Sequence, residues 1–228
     1  IGARKGDVIA VMLENRPELI ASVIGLAKIG VIAALVNTAQ VAKVLAHSIN
    51  LVKPIAVIVG EECRQAVADI RQELELAENR LYWFADQNTR TDTGTAPEGF
   101  QNLAQCIASF PSFNPATTQS VQGKDGLFYI YTSGTTGLPK AVIFTNSRWT
   151  LAYGTYGHVL GLNQDDVMYC TLPLYHATGI VVCWCGVIAG SATFAIRRKY
   201  STSCFWQDVH KFNASAIGYV GELCRYLM

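Results

Sequence analysis

A strong charge imbalance is missing from this sequence, and its absence removes whole classes of function. Eighteen Lys and Arg stand against seventeen Asp and Glu among 228 residues, a formal net charge of +1. A chain so balanced has no general electrostatic drive toward nucleic acid or an anionic membrane; only a local patch would supply one. Charged residues are sparse, 15% against 50% hydrophobic, so there is apolar surface for a substantial core. No CxxC pair occurs among the seven cysteines, at 63, 106, 170, 183, 185, 204 and 224. Their odd number and the lack of a CxxC pair fit neither a disulfide framework nor a clustered metal site, and point to reduced thiols in a cytosolic setting. Cys183 and Cys185 alternate around Trp184 and read as core packing. No secretory leader is visible in these residues: the sequence opens at Ile1 in mid-pattern, and "GELCRYLM" closes within a helical pattern. Both ends read as cut from something longer.

What is present alternates between two periodicities. Apolar runs at 7–13, "VIAALV", "PIAVIVG" and "LYWFAD" read as strands. Between them, "NRPELIASVIGLAKIG" reads as a helix with Asn15 as a candidate cap and an early proline. "QVAKVLAHSINLV" and the amphipathic "EECRQAVADIRQELELA" read as further helices. Strands alternating with helices predict an α/β fold of mainly parallel sheets with covering helices. Residues 87–123 are turn-rich, with a short helical pattern at "FQNLAQCIASF", and read as a loop-rich insertion. Downstream, "GLFYIYT", "AVIFTN", "DVMYCTL", "ATFAIRR" and "SAIGYV" read as strands, and "TSCFWQDVHKFN" as a helix. No charge falls between Ala177 and Ile196. That run is long enough to span a bilayer, but Gly190 and Ser191 break it, so a buried helix, a turn and a strand explain it as well.

The most informative stretch is "YIYTSGTTGLPKA", residues 129–141. Glycines remove Cβ atoms and allow close approach of backbone N–H groups, while hydroxyls and one lysine add donors and charge. One unit-charge pair at about 4 Å, with an effective dielectric of about 20, gains about 4 kcal/mol before desolvation is subtracted. This is the composition of a phosphate cradle. It is not a Walker A loop, because Gly134 and Gly137 are too close, Pro139 precedes Lys140, and a strand pattern follows in place of a helix. The pattern predicts a strand–loop–strand clip. On composition alone an ordinary glycine-rich hairpin remains an alternative.

The full string "YTSGTTGLPKA" closely resembles the ATP-phosphate loop of the adenylate-forming superfamily, which includes acyl-CoA synthetases, luciferases and peptide-synthetase adenylation domains. "LPLYH", residues 172–176, resembles the next core motif of that superfamily. "YSTSCFW" (200–206), "YVGELCRYLM" (219–228) and the N-terminal 34-residue stretch from Lys5 are similar to its fatty acid transport protein and very-long-chain acyl-CoA synthetase branch. Two positions depart from the usual pattern: Ala141 stands where most members carry glycine, and Asn146 where they usually carry histidine.

The resemblance implies that residues 1–228 are part of a large N-terminal AMP-binding domain. It implies an ATP-dependent ligase that activates a fatty acid as acyl-AMP, releases pyrophosphate and forms the coenzyme A thioester. Fatty acid, ATP, Mg²⁺ and coenzyme A are the expected reactants and cofactors, with no nucleic acid and with peripheral membrane association as an open partner. Thr132, Ser133, Gly134, Thr135, Thr136 and Gly137 are expected to wrap the β- and γ-phosphates, Lys140 to supply the cation, Pro139 to restrict the loop, and Thr136 to help hold Mg²⁺. His176 is expected near the acyl substrate, with Tyr175 packed beside it; by itself a lone histidine reads as structural. Tyr219, Val220 and Gly221 are candidate pocket-lining residues, against a reading of simple packing with Glu222 in the first turn of a helix. Arg197, Arg198 and Lys199 offer contact with a membrane or a coenzyme A phosphate, or form a solvated strand end. His47, His158 and His210 have no motif support and read as surface or structural. The superfamily's acidic adenine- and magnesium-binding motif, ribose-binding aspartate, hinge and C-terminal lysine do not occur in these residues, so the 228 residues alone are expected not to catalyse the reaction. A carrier-protein acyl acceptor and a membrane-associated fatty acid uptake role are the alternatives.

Overall fold

The computed structural model describes residues 1–86, 94–133 and 137–227. Two compact units emerge: Ile1–Glu14 with Glu18–Asn146, and Asn15–Pro17 with Ser147–Met228.

The first unit is built on a seven-stranded sheet. Its strands are β1 (Val8–Met12), β2 (Ile32–Leu35), β3 (Ala56–Gly60), β4 (Leu81–Phe84), β5 (Gln101–Asn102), β6 (Gly126–Thr132) and β7 (Lys140–Thr145), in spatial order β5-β4-β3-β1-β2-β6-β7. Every neighbouring pair is parallel except β6 with β7. The strands β1, β2 and β3 are nearly continuous apolar runs because both of their faces are covered. Helices α1 (Pro17–Lys28), α2 (Ala42–Leu51), α3 (Arg64–Asp69) and α4 (Leu103–Ile107) connect them. One face packs Leu45, Ile49, Cys63, Val67 and Ile70 against Met12, Val57, Val59 and Trp83. The loop-rich stretch is not wholly outside the fold: its β5 adds an edge to the sheet beside β4.

Two local expectations change. The single helix read over 61–77 is broken into a 3₁₀ turn (Glu61–Cys63), α3, and a second 3₁₀ turn (Arg71–Glu73). The Asn50 side chain donates to Glu73 O at 2.8 Å and accepts from Glu75 N at 3.0 Å. That clamp holds the chain where further helical turns would need the same backbone groups, and it keeps Ile70 and Leu74 buried. Asn15, read as a helix cap, turns its amide elsewhere, to Leu172, Leu174 and Arg197.

The second unit has a three-stranded parallel sheet of β8 (Val167–Cys170), β9 (Thr193–Ile196) and β10 (Ala216–Gly218), ordered β10-β8-β9. Around it lie α5 (Asn146–Leu160), a π-helical turn (Thr178–Cys183) running into α6 (Trp184–Gly190), α7 (Thr202–Lys211) and α8 (Gly221–Leu227). The uncharged run from Ala177 is thus a buried π turn and helix, a left-handed residue at Ser191 (φ 53°), and β9. Among the described residues no helix is long and apolar enough to cross a membrane. Cys183 and Cys185 are both buried, and burial pushes the Cys185 thiol up to about 12, so it stays protonated and packs as an apolar group.

Candidate functional site

The glycine-rich loop sits at the carboxyl end of β6, the end at which parallel α/β sheets receive ligands. The chain leaves β6 at Thr132 and returns as β7, antiparallel, with Lys140 directly opposite Thr132. The loop is therefore a clip whose two stems are hydrogen-bonded strands. Gly137 has φ +86°, a conformation that favours glycine over any side-chain-bearing residue. Gly134, Thr135 and Thr136 lie outside the described residues. Thr132, Ser133, Gly137 and Lys140 are all exposed.

Two adjacent residues of α2 hold the stems. Tyr131 is buried and donates its hydroxyl to Ser48 O at 2.7 Å, fixing the entry strand. His47 Nε2 lies 3.1 Å from Pro139 O, fixing the exit. His47, without motif support in the sequence, thus has a structural contact at the loop. Burial raises the Tyr131 phenol above its usual range, so it remains a neutral donor. Replacing Tyr131 with phenylalanine leaves Ser48 O without this donor and is expected to cost about 1 kcal/mol; urea denaturation of the two forms checks it. Beside the clip, a recess of about 560 Å³ is lined by Lys140, Lys53, His47, Tyr129 and Leu138. At Asn146, the side chain donates to Gln122 O (3.3 Å) and Asp125 O (3.2 Å). It ties down the turn before β6.

In the second unit the three strands run in one direction, so the segments following them emerge at one end. After β8 comes Thr171–His176, after β9 Arg197–Lys199, and after β10 Tyr219–Gly221. The sheet therefore gathers three motif segments that the sequence separates. Tyr219 and Val220 are 56% and 41% exposed, so they are surface groups at the strand end. Gly221 opens α8, with Glu222 in its first turn. The Tyr175 and His176 rings stand 4.9 Å apart. The turn is closed by His176 N donating to Pro173 O at 3.1 Å and passes into the π turn as Ile180 N donates to His176 O at 3.1 Å. His176 is exposed by area, yet the surrounding protein desolvates its ring enough to hold its pKa below the usual imidazole value. At pH 7 the ring is neutral, able to accept a proton or a hydrogen bond.

A polar network that the sequence did not signal anchors the same end. Asp208 on α7 pairs with the Arg197 guanidinium and accepts the Tyr169 hydroxyl at 2.8 Å. Burial opposes ionisation of Asp208, but these partners prevail and keep its carboxyl below the usual range. A lowered native pKa adds stability above the ordinary carboxylate value that is lost as pH falls through the native one. The stability gap between wild type and Asp208→Asn is thus expected to be widest above about pH 5 and to narrow as the pH falls below the ordinary carboxylate value. Melting curves over that range measure it.

The sequence profile of AMP-binding enzymes matches residues 1–228. This chain belongs to the AMP-binding enzyme family. It is 38% identical, over its whole length and 36% of the relative's, to a medium/long-chain-fatty-acid–CoA ligase, FadD6, of Mycobacterium tuberculosis. It is likewise 38% identical, over 100% of its own length and 34% of the relative's, to long-chain fatty acid transport protein 1 of Rattus norvegicus. The chain therefore spans about a third of the length of these curated relatives. Its fold is similar to the inhibitor-bound N-terminal domain of FACL13 from Mycobacterium tuberculosis, with TM-score 0.81 and 22% identity over 99% of this chain and 52% of that one. The mixed α/β architecture with mainly parallel sheets is that of the N-terminal domains of adenylate-forming enzymes.

Proposed function

We propose that these residues form part of the large N-terminal domain of a long- or very-long-chain fatty-acyl-CoA synthetase. The observation that carries the reading is the clip: a donor-rich loop at the carboxyl end of β6, with Lys140 facing Thr132 across its stems. A triphosphate is a large, mobile anion, and a loop with fixed stems can position it with little reorganisation. Thr132 through Gly137 would donate to the β- and γ-phosphates, and Lys140 would neutralise charge as it develops on pyrophosphate.

The reaction has two steps. A carboxylate oxygen of the fatty acid attacks the α-phosphorus of ATP; the bond to pyrophosphate breaks, and acyl-AMP forms. The coenzyme A thiol then attacks the acyl carbonyl, loses its proton, and releases AMP. Among the described residues no cluster of three His, Cys, Asp or Glu could hold a metal ion. Magnesium would be held through the ATP phosphates, with the Thr136 hydroxyl as its protein contact, and would offset phosphate charge. Neutral His176, beside Tyr175, would lie next to the fatty acid carboxylate, where a cationic ring would otherwise trap it. Tyr219, Val220 and Gly221 would border the acyl chain.

The test supplies the full-length gene product with a labelled long-chain fatty acid, ATP, magnesium and coenzyme A. The reading requires AMP and a coenzyme A thioester in equal amounts. Acyl-AMP with no thioester would favour a carrier protein as acceptor. The transport-protein relative supports a second reading, uptake of fatty acid at a membrane through peripheral association, for which fatty acid binding to vesicle-bound protein without AMP release would be the signature.

A further inference from the structure

The parallel pairing of β8 with β9 ends abruptly. Its last bond runs from Arg197 N to Cys170 O at 3.1 Å. In a continued ladder, Arg197 O would next accept from the backbone of the chain leaving β8. It accepts instead from the side-chain amide of Asn15, at 3.1 Å. The same amide nitrogen donates to Leu172 O at 2.8 Å, and Asn15 Oδ1 accepts from Leu174 N at 2.8 Å. Two of the three partners are carbonyls and the third is an N–H, so only one orientation of the amide satisfies all of them. Asn15 is 4% exposed. One buried amide thus stands between the two departing strands, pinning Leu172 and Leu174 on one side and Arg197 on the other.

No other side chain fills this role equally. Aspartate lacks the two N–H donors, glutamine is a methylene longer, and alanine leaves three backbone groups, two of them in buried bonds, without these partners. Leu172 and Leu174 belong to the turn that ends in Tyr175 and His176, only two residues further on. Ligands of parallel sheets bind where strands separate at their carboxyl ends, and Asn15 fixes that separation here.

We propose that Asn15 is a positioning residue for the adenylation step: by ending the β8–β9 ladder it sets the 172–176 turn and with it the place of the His176 ring. This rests on the reading that His176 lies beside the acyl substrate.

The experiment measures fatty-acid-dependent exchange of labelled pyrophosphate into ATP by the full-length gene product, with rates normalised to the folded fraction from melting curves. Asn15→Ala is expected to lower kcat/KM for the fatty acid by on the order of 10- to 100-fold, the scale of a displacement of about 1 Å in a reacting geometry. KM for ATP should stay within about twofold. His176→Ala should lower the same parameter, and adding Asn15→Ala to it should cost less than about a further twofold, because the two act as one unit. Asn15→Ser, which keeps one hydroxyl, serves if the alanine variant does not fold; it should show a smaller loss with the same non-additivity. An unchanged rate in a folded Asn15 variant would overturn the inference alone. So would an equal fractional loss with and without His176, which marks a purely structural residue. Full activity in His176→Ala would instead remove the reading of His176, and this inference with it.

Discussion

Lys140→Ala in the full-length gene product is expected to lower kcat/KM for ATP by on the order of 10²-fold, the usual effect of removing one donor aimed at developing charge. Lys140 opens β7 and lies opposite Thr132, at the mouth of the loop. It is exposed in this structure, and an exposed lysine on an ordinary hairpin would cost little when removed, because water screens its field. The expected loss is large only if the site closes on a triphosphate and excludes water. Lys140→Arg keeps the charge but replaces a compact ammonium with a broad fork, so it should recover only part of the loss. Initial-rate kinetics with varied ATP decide the matter: a change below about threefold would return the loop to the status of a hairpin.

The second large effect is on stability. Gly179 lies in the π turn after His176, and a Cβ built there would meet Pro173 O at 2.6 Å and Leu172 O at 3.1 Å. These are backbone atoms of the very turn that Asn15 holds, so no rotamer change can relieve the contact. Gly179→Ala is expected to cost about 2–3 kcal/mol, the range of overpacking in a closed core, and to displace the turn that carries His176. Gly25, inside α1, provides the contrast: a Cβ there meets nothing within 4 Å. Gly25→Ala should leave the fold unharmed or gain up to about 1 kcal/mol from helix propensity. Chemical denaturation of both variants checks the pair, and equal effects would contradict the geometry.

The strands β1, β2 and β3 were readable because both of their faces are covered, which leaves apolar runs that no surface segment shows; the edge strand β5, Gln101–Asn102, falls inside a stretch that read as helical. Helix α5 was not. Its sequence "NSRWTLAYGTYGHVL" contains Gly154 and Gly157 and only one buried residue, Ala152, so neither propensity nor periodicity marks it. Gly157 is explained by tertiary packing: a Cβ there would stand 2.6 Å from that of Ala189. The break in the 61–77 segment depends on Asn50, well removed in sequence, and could not be read locally. The glycine-rich loop was legible as a string of residue types. Its anchors, Ser48 and His47, were not, because neither carries a motif and both act through backbone carbonyls. Asn15 is the sharpest case. An asparagine before an acidic first turn is a good cap signal, yet its amide meets groups more than 150 residues away.

The measurement that tests the central claim most directly is fatty-acid-dependent exchange of labelled pyrophosphate into ATP by the full-length gene product and its Lys140→Ala variant. The account predicts exchange that requires a long-chain acid and collapses in the variant. A folded protein that binds fatty acid but exchanges with no carboxylate, or exchanges equally well without Lys140, would contradict it.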